Sequence, residues 1–115
     1  MTKDAKGYLD DLVERIDRIV DFSAAGREEF LTSRMNQDAI LRNFEVIGEI
    51  VKRLGHEFAV KYPDVPWRRI AGFRDVLIHN YEGVSMEVVW EVIENELLPL
   101  REKILKIRDK LEQSQ

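Results

Sequence analysis

The sequence contains no cysteine. That excludes a disulfide framework, thiol catalysis and a thiolate zinc site, and it fits a reducing compartment. Glycine and proline are scarce, at six and three residues, while charged residues make up 35% of the chain. A loop-rich or low-complexity protein needs far more of the first two, and this balance is that of a helical one. No apolar run approaches the roughly eighteen residues that span a bilayer. The opening stretch Met1-Thr2-Lys3-Asp4-Ala5-Lys6 lacks the apolar core of a signal peptide. The expectation is a cytoplasmic protein with no membrane partner. Positive charge is also short: 18 lysines and arginines against 22 acidic residues give a net charge of −4. Proteins that bind nucleic acid by counterion release are usually basic, so any contact with RNA must run through a local basic patch.

What is present is helical periodicity. Tyr8, Leu9, Leu12, Val13, Ile16, Ile19 and Val20 recur at helical spacing among charged residues, which predicts an amphipathic helix over about residues 4–22. Ser23-Ala24-Ala25-Gly26 interrupts it, and a short helical turn is expected over Arg27–Leu31. A second long helix is expected from about Met35 to Val60. In it Ile40, Phe44, Ile47, Val51 and Leu54 step by four and three, a narrow stripe suited to a helix–helix seam. Gly48 flanks that stripe and costs about 1 kcal/mol relative to alanine; close approach of another helix is the simple reason for it. Glu49, Asp38, Arg42 and Arg53 lie on the opposite face, read as solvated.

Lys61-Tyr62-Pro63-Asp64-Val65-Pro66 breaks the pattern, since two prolines exclude a continuous helix. Pro66 opens a third helix, which carries Trp67, Ile70, Phe73, Leu77 and Ile78 on one side. Asn80-Tyr81-Glu82-Gly83 reads as its end, with Gly83 the candidate stop. Ser85 is a candidate N-cap for the last helix, which Pro99 should kink or split. The sum is an all-α protein of four or five antiparallel helices, with no convincing strand.

The third helix holds the chemistry. Arg74, His79 and Tyr81 form R-x-x-x-x-H-x-Y, and His79 is one of only two histidines. Histidine can pass protons at cellular pH, and arginine can grip a phosphate through two parallel hydrogen bonds. The pair suits phosphoryl transfer or phosphodiester cleavage. The pattern is short, however, and occurs in helices by accident. Arg74 falls on the apolar side, where an unpaired guanidinium is expensive, so it needs a partner or a cleft. On a regular helix His79 lies roughly 140° around from Arg74. Either the helix loosens before His79, or two copies face each other across a two-fold axis and complete the site together. Asp75 and His79 share a face, but one histidine and one carboxylate are too few for a zinc site; no metal or cofactor motif is evident. Asp75 is expected to orient His79 or to pair with an arginine. His56 lacks companions and reads as an exposed histidine. Trp67 and Trp90 read as core or interface aromatics.

Three patches occur in order: Gln37-Asp38-Ala39-Ile40 through Ile47-Gly48-Glu49, then Tyr62-Pro63-Asp64-Val65-Pro66-Trp67-Arg68, then Arg74 through Tyr81 followed by Val88-Val89-Trp90. With these the sequence resembles HEPN domains, specifically the HepT-like toxins of bacterial and archaeal toxin–antitoxin pairs, over most of its length. The resemblance implies a single HEPN-like domain spanning 1–115, an antiparallel helical bundle that forms a homodimer. It implies a metal-independent endoribonuclease without a cofactor, acting on RNA that includes transfer RNA, with Arg74 and His79 catalytic in a cleft at the dimer interface. Asp75 and Asn80 would support them, and Arg68 and Arg69 would contact RNA. Many members have asparagine where this chain has Asp75, and a carboxylate there repels a phosphate unless it is paired. Tyr81 would be the residue that a cognate minimal nucleotidyltransferase (MNT) antitoxin modifies with AMP to silence the toxin. A different class of function is a non-catalytic helical partner of that nucleotidyltransferase.

Overall fold

The computed structural model describes residues 4–114; Met1, Thr2 and Lys3, on which part of the reading of the chain's start rests, lie outside it. The chain folds into six α-helices and one 3₁₀ turn, with no strand among the described residues. Helix α1 spans Ala5–Phe22, α2 Arg27–Thr32, α3 Arg34–Lys61, α4 Trp67–His79, α5 Met86–Asn95 and α6 Leu97–Gln113; the 3₁₀ turn covers Tyr81–Gly83. The all-α bundle expected from periodicity is the one found. The helix count is higher because the last expected helix is split at Glu96, three residues before Pro99, and because α2 is a helix in its own right.

Short side chains start the helices where the pattern places them. Asp4 accepts from the Gly7 amide at 2.8 Å, Ser33 from the Asn36 amide at 3.2 Å, and Ser85 from the Val88 amide at 3.3 Å. Each satisfies one of the amides that a helix start leaves without a partner.

The longest helix, α3, is the axis of the bundle. Its stripe Ile40, Phe44, Ile47 and Val51 is buried. Against it α1 buries Leu9, Leu12, Ile16 and Ile19, all at 1% exposure or less; each such side chain contributes about 1.5–3 kcal/mol. Helix α6 runs antiparallel to α1, and three ion pairs mark the register: Arg101 with Asp17 at 2.7 Å, Arg108 with Asp10 at 3.1 Å and Lys6 with Glu112 at 2.8 Å. Phe30 of α2 is buried and packs on Trp90 of α5, with ring centroids 5.7 Å apart.

Two features of α3 decide where α4 sits. The first is Gly48, which is buried at the crossing with α4. The second is Gly55, whose φ of 88° and ψ of 170° break the helix inside α3. A residue with a Cβ would be strained there. The bend was not legible beforehand, because the apolar stripe continues to Leu54 and reads as one straight helix. Beyond it Phe58 and Tyr62 close around Trp67, the first residue of α4: Phe58 lies 5.8 Å from the Trp67 ring edge-on, and the Trp67 indole N–H donates to the Tyr62 carbonyl at 2.8 Å. Helix α4 then returns antiparallel along α3, with Phe73 edge-on to Phe44 at 5.3 Å.

Candidate active site

The α3–α4 seam gathers three of the residues singled out by sequence, Gly48, Arg74 and Asp75. Arg74 lies directly over Gly48. A methyl group placed on Gly48 would come within 2.1 Å of the Arg74 Cβ and 2.7 Å of its Cγ. Only glycine lets the two backbones meet there, so the close approach expected of Gly48 is found, and its partner is Arg74 itself. The Arg74 side chain is 24% exposed, and its Nε is buried with no hydrogen-bond partner. Its guanidinium Nη1 donates to Asp75 Oδ1 at 3.1 Å.

Asp75 is thus the partner that Arg74 required, and it makes no contact with His79 in the hydrogen-bond network described. The same Oδ1 also accepts from Lys52 Nζ at 2.5 Å. Lys52 stands on α3, one turn beyond Gly48. The Lys52 and Arg74 hydrogen bonds hold the Asp75 carboxyl below its ordinary range, so it is ionised at neutral pH. Two cations and one anion leave the cluster one positive charge in excess. Lys52 is a site residue that the sequence reading missed. The available signal was its spacing from Gly48: once Gly48 faces α4, a residue four further on faces it too.

His79 ends α4 and is exposed, with no hydrogen-bond or ion-pair partner among the described residues. The helix stays regular through His79. The loosening considered as one way to bring His79 to Arg74 is therefore absent, and within one chain the two remain roughly 140° apart around the axis. The Asn80 amide closes the last turn on the Val76 carbonyl at 2.8 Å. Asn80 is exposed, and its side-chain amide fills the space beside Gly83, where a Cβ would come within 2.5 Å of Asn80 Nδ2. Gly83 was read as a candidate stop; it lies beyond the end of α4 and is not left-handed, since among the described residues only Gly26 and Gly55 have positive φ. It closes the 3₁₀ turn and is small because Asn80 lies against it.

Tyr81 follows the end of the helix, as expected, but its phenol is not free. It is half-buried against the core and donates a hydrogen bond to Asp38 near the start of α3. Burial, that hydrogen bond and the charges of Asp38, Glu45 and Glu82 push its pKa up to about 12. Asp38 was read as part of a solvated face; it is exposed there, and it also anchors the segment that follows α4. Among its expected neighbours on that face, Arg42 pairs with Glu45 at 3.2 Å and with Glu49 at 3.8 Å.

The remaining basic residues differ in availability. Arg68 is exposed. The Arg69 guanidinium is engaged in a two-point pair with Glu96, one arm at 2.7 Å. His56 is exposed, as read. Among the described residues no three His, Cys, Asp or Glu side chains gather as a cation site, and no helix is long and apolar enough to cross a membrane. Elsewhere on α4 Val76 and Ile78 are exposed at 49% and 44%, two residues and so nearly half a turn apart around the helix, and a separate apolar groove of about 510 Å³ is lined by Ile70, Phe73, Val88, Val92, Leu97 and Leu100.

An all-α bundle with an arginine seated on a glycine and an exposed histidine five residues on defines a class of small helical proteins. Comparison with known proteins gives the family: residues 12–107 match the model of the ribonuclease HepT-like family. The chain belongs to that family, which places it among enzymes that cut RNA. Its relatives include a Methanocaldococcus jannaschii protein named "Gamma-glutamylcyclotransferase and putative RNase", 41% identical over 99% of this chain. A second protein of that organism, named "Putative RNase", is 42% identical over 83% of this chain and 79% of its own length. The "Probable ribonuclease HepT" of Thermococcus cleftensis is 37% identical over 94% of this chain and 99% of its own. The chain spans about half, 52%, of the first of these and most of the other two. No solved structure matches the chain significantly.

Proposed function

We propose that the protein is a metal-independent endoribonuclease, acting as the toxin of a toxin–antitoxin pair, whose site is completed between two copies of the chain. The observation that carries this reading is the seating of Arg74. A glycine is kept in the middle of a helix so that this one arginine can approach. Its guanidinium is half-buried, and the carboxylate beside it is shared with a second cation. A cluster so built is suited to a phosphodiester, whose charge grows as the reaction proceeds.

The chemistry needs no cofactor. RNA supplies its own nucleophile: the 2′-oxygen attacks the adjacent phosphorus, the 5′-oxygen leaves, and the products end in a 2′,3′-cyclic phosphate and a 5′-hydroxyl. His79 takes the proton from the 2′-hydroxyl or delivers one to the leaving oxygen, and Arg74 stabilises the charge on phosphorus. Asp75 and Asn80 support these two residues, and Arg68 offers a further contact for the RNA backbone. Since α4 is regular, Arg74 and His79 of one chain point apart. A two-fold axis near α4 lets the arginine of one copy meet the histidine of the other, and the exposed Ile78, which lies between Arg74 and His79 around the helix axis, offers apolar surface for such a homodimer.

Tyr81 is the proposed point of control by an MNT-type nucleotidyltransferase. AMP on its oxygen removes the proton that Asp38 accepts and sets a phosphodiester charge among Asp38, Glu45 and Glu82. Repulsion drives the adduct off Asp38, and the nucleotide covers the approach to Arg74. Transfer RNA is the proposed substrate class, in the cytoplasm.

The test is incubation of the purified protein with total RNA, with and without EDTA, and analysis of the new ends. Cleavage that survives EDTA and leaves 2′,3′-cyclic phosphates is expected. Absence of cleavage would favour the non-catalytic partner role, and strict dependence on added metal would contradict the mechanism.

A further inference from the structure

We propose that Lys52 is a positioning residue of the phosphate site: it shares the Asp75 carboxylate with Arg74 and supplies the net positive charge that lets the site accept a phosphodiester. The inference rests on the reading of Arg74 as the phosphate-binding group, and it concerns a residue on a different helix.

Asp75 adjoins Arg74 in sequence and accepts from its Nη1 at 3.1 Å. A carboxylate and a guanidinium alone form a neutral pair, and a phosphate approaching that pair must compete with Asp75 for the same donors. Lys52 changes the balance. Its ammonium reaches the very oxygen that Arg74 uses. One carboxylate oxygen is thus divided between two cations. Arg74 gives Asp75 a single Nη1 hydrogen bond, its Nε is buried, and its Nη2 amino group is left for a ligand, while the cluster keeps one positive charge.

Fold stability does not account for this arrangement. The Lys52 and Asp75 side chains are 42% and 46% exposed, and an exposed pair contributes little to stability. The position is also set by the crossing itself. Lys52 lies four residues, one helical turn, beyond Gly48, and Asp75 follows Arg74, so the contact that seats Arg74 on Gly48 brings Lys52 to Asp75. The arginine's seat and its charge correction come from the same turn of α3.

The experiment measures binding of a short mixed-sequence 2′-O-methyl oligoribonucleotide, which cannot be cleaved because its nucleophile is blocked. The full-length protein is compared with Lys52→Ala, Asp75→Asn and the double variant, over a range of salt. Lys52→Ala should weaken binding about three- to tenfold and flatten the log–log salt dependence by about 0.7, the value of one charge on a single strand. Asp75→Asn should tighten binding, and the double variant, whose net charge equals that of the wild type, should return to within about twofold of it. Lys52→Arg should also bind like the wild type, and cleavage of unmodified RNA should follow the same order. Lys52→Ala binding as tightly as wild type, or a double variant no better than Lys52→Ala, would overturn the proposal. A wild type that binds the probe in this order yet cuts no RNA would refute the ribonuclease reading while supporting the role of Lys52.

Discussion

Arg74 and His79 carry different burdens, and their replacement should show it. His79 is exposed and without a partner, so His79→Ala should leave the fold intact while lowering cleavage about 10²–10⁴-fold, the usual cost of losing a general acid or base. Arg74→Ala should be equally inactive but also strips the apolar stem of the arginine from the seam beyond its Cβ and leaves Asp75 to Lys52 alone. Kinetic assays alongside thermal melting separate the two; a His79→Ala protein that cuts RNA at the wild-type rate would remove histidine from the mechanism. Tyr81 makes a prediction in pH. Its folded-state pKa is raised to about 12 from an ordinary value of about 10. A raised pKa contributes stability that is fully present below pH ~10 and is lost as pH rises through ~12. Wild-type protein should therefore lose stability across that interval, and Tyr81→Phe, having no proton to lose there, should lose less. Tyr81→Phe should also cut RNA yet escape silencing when co-expressed with the nucleotidyltransferase. Mass spectrometry that finds AMP only on other residues would contradict that. These residues were legible because their types announce their chemistry. Asp38 and Lys52 were not, since a carboxylate and a lysine on a charged helix look solvated until the facing helix is known.

The crossing of α3 and α4 is the element on which the site depends. Gly48→Ala sets a methyl group 2.1 Å from the Arg74 Cβ, so one helix must move. Overpacking of this kind costs about 1–3 kcal/mol, partly offset by the roughly 1 kcal/mol that alanine gains over glycine in a helix. The effect on cleavage should be larger, since a shift of about 1 Å in a positioned group can cost 10²-fold. Melting temperature and cleavage rate measured on the same sample decide the matter: activity falling much further than stability is expected, and a fully active Gly48→Ala would show that the close crossing is not needed. The apolar stripes made α1, α3 and α4 readable, and Pro66 and Ser85 marked the starts of α4 and α5, because burial leaves a periodic mark and a helix start a local one. The bend at Gly55 left none. A single glycine late in an amphipathic stretch is compatible with a straight helix, and what bends it is the packing of Phe58 and Tyr62 around Trp67, a contact between segments.

At the scale of the whole molecule, one chain holds both proposed catalytic residues but does not bring them together. The bundle measures 46 × 27 × 27 Å, α4 is regular from Trp67 to His79, and Ile78, between Arg74 and His79 around its axis, is exposed. The geometry of a single helix was enough to foresee that separation. The relation between two chains was not readable from one sequence, because it depends on surfaces rather than periodicity. The central claim, that Arg74 of one copy works with His79 of the other, is tested most directly by mixing two inactive proteins. Arg74→Ala and His79→Ala chains are combined under conditions that allow subunit exchange, and RNA cleavage is measured. If the site is shared, each mixed dimer keeps one intact arginine–histidine pair, and random exchange into two-fold dimers restores about a quarter of wild-type activity. A mixture as inactive as its parents, with exchange shown to be complete, would mean that the two residues do not act across the dimer.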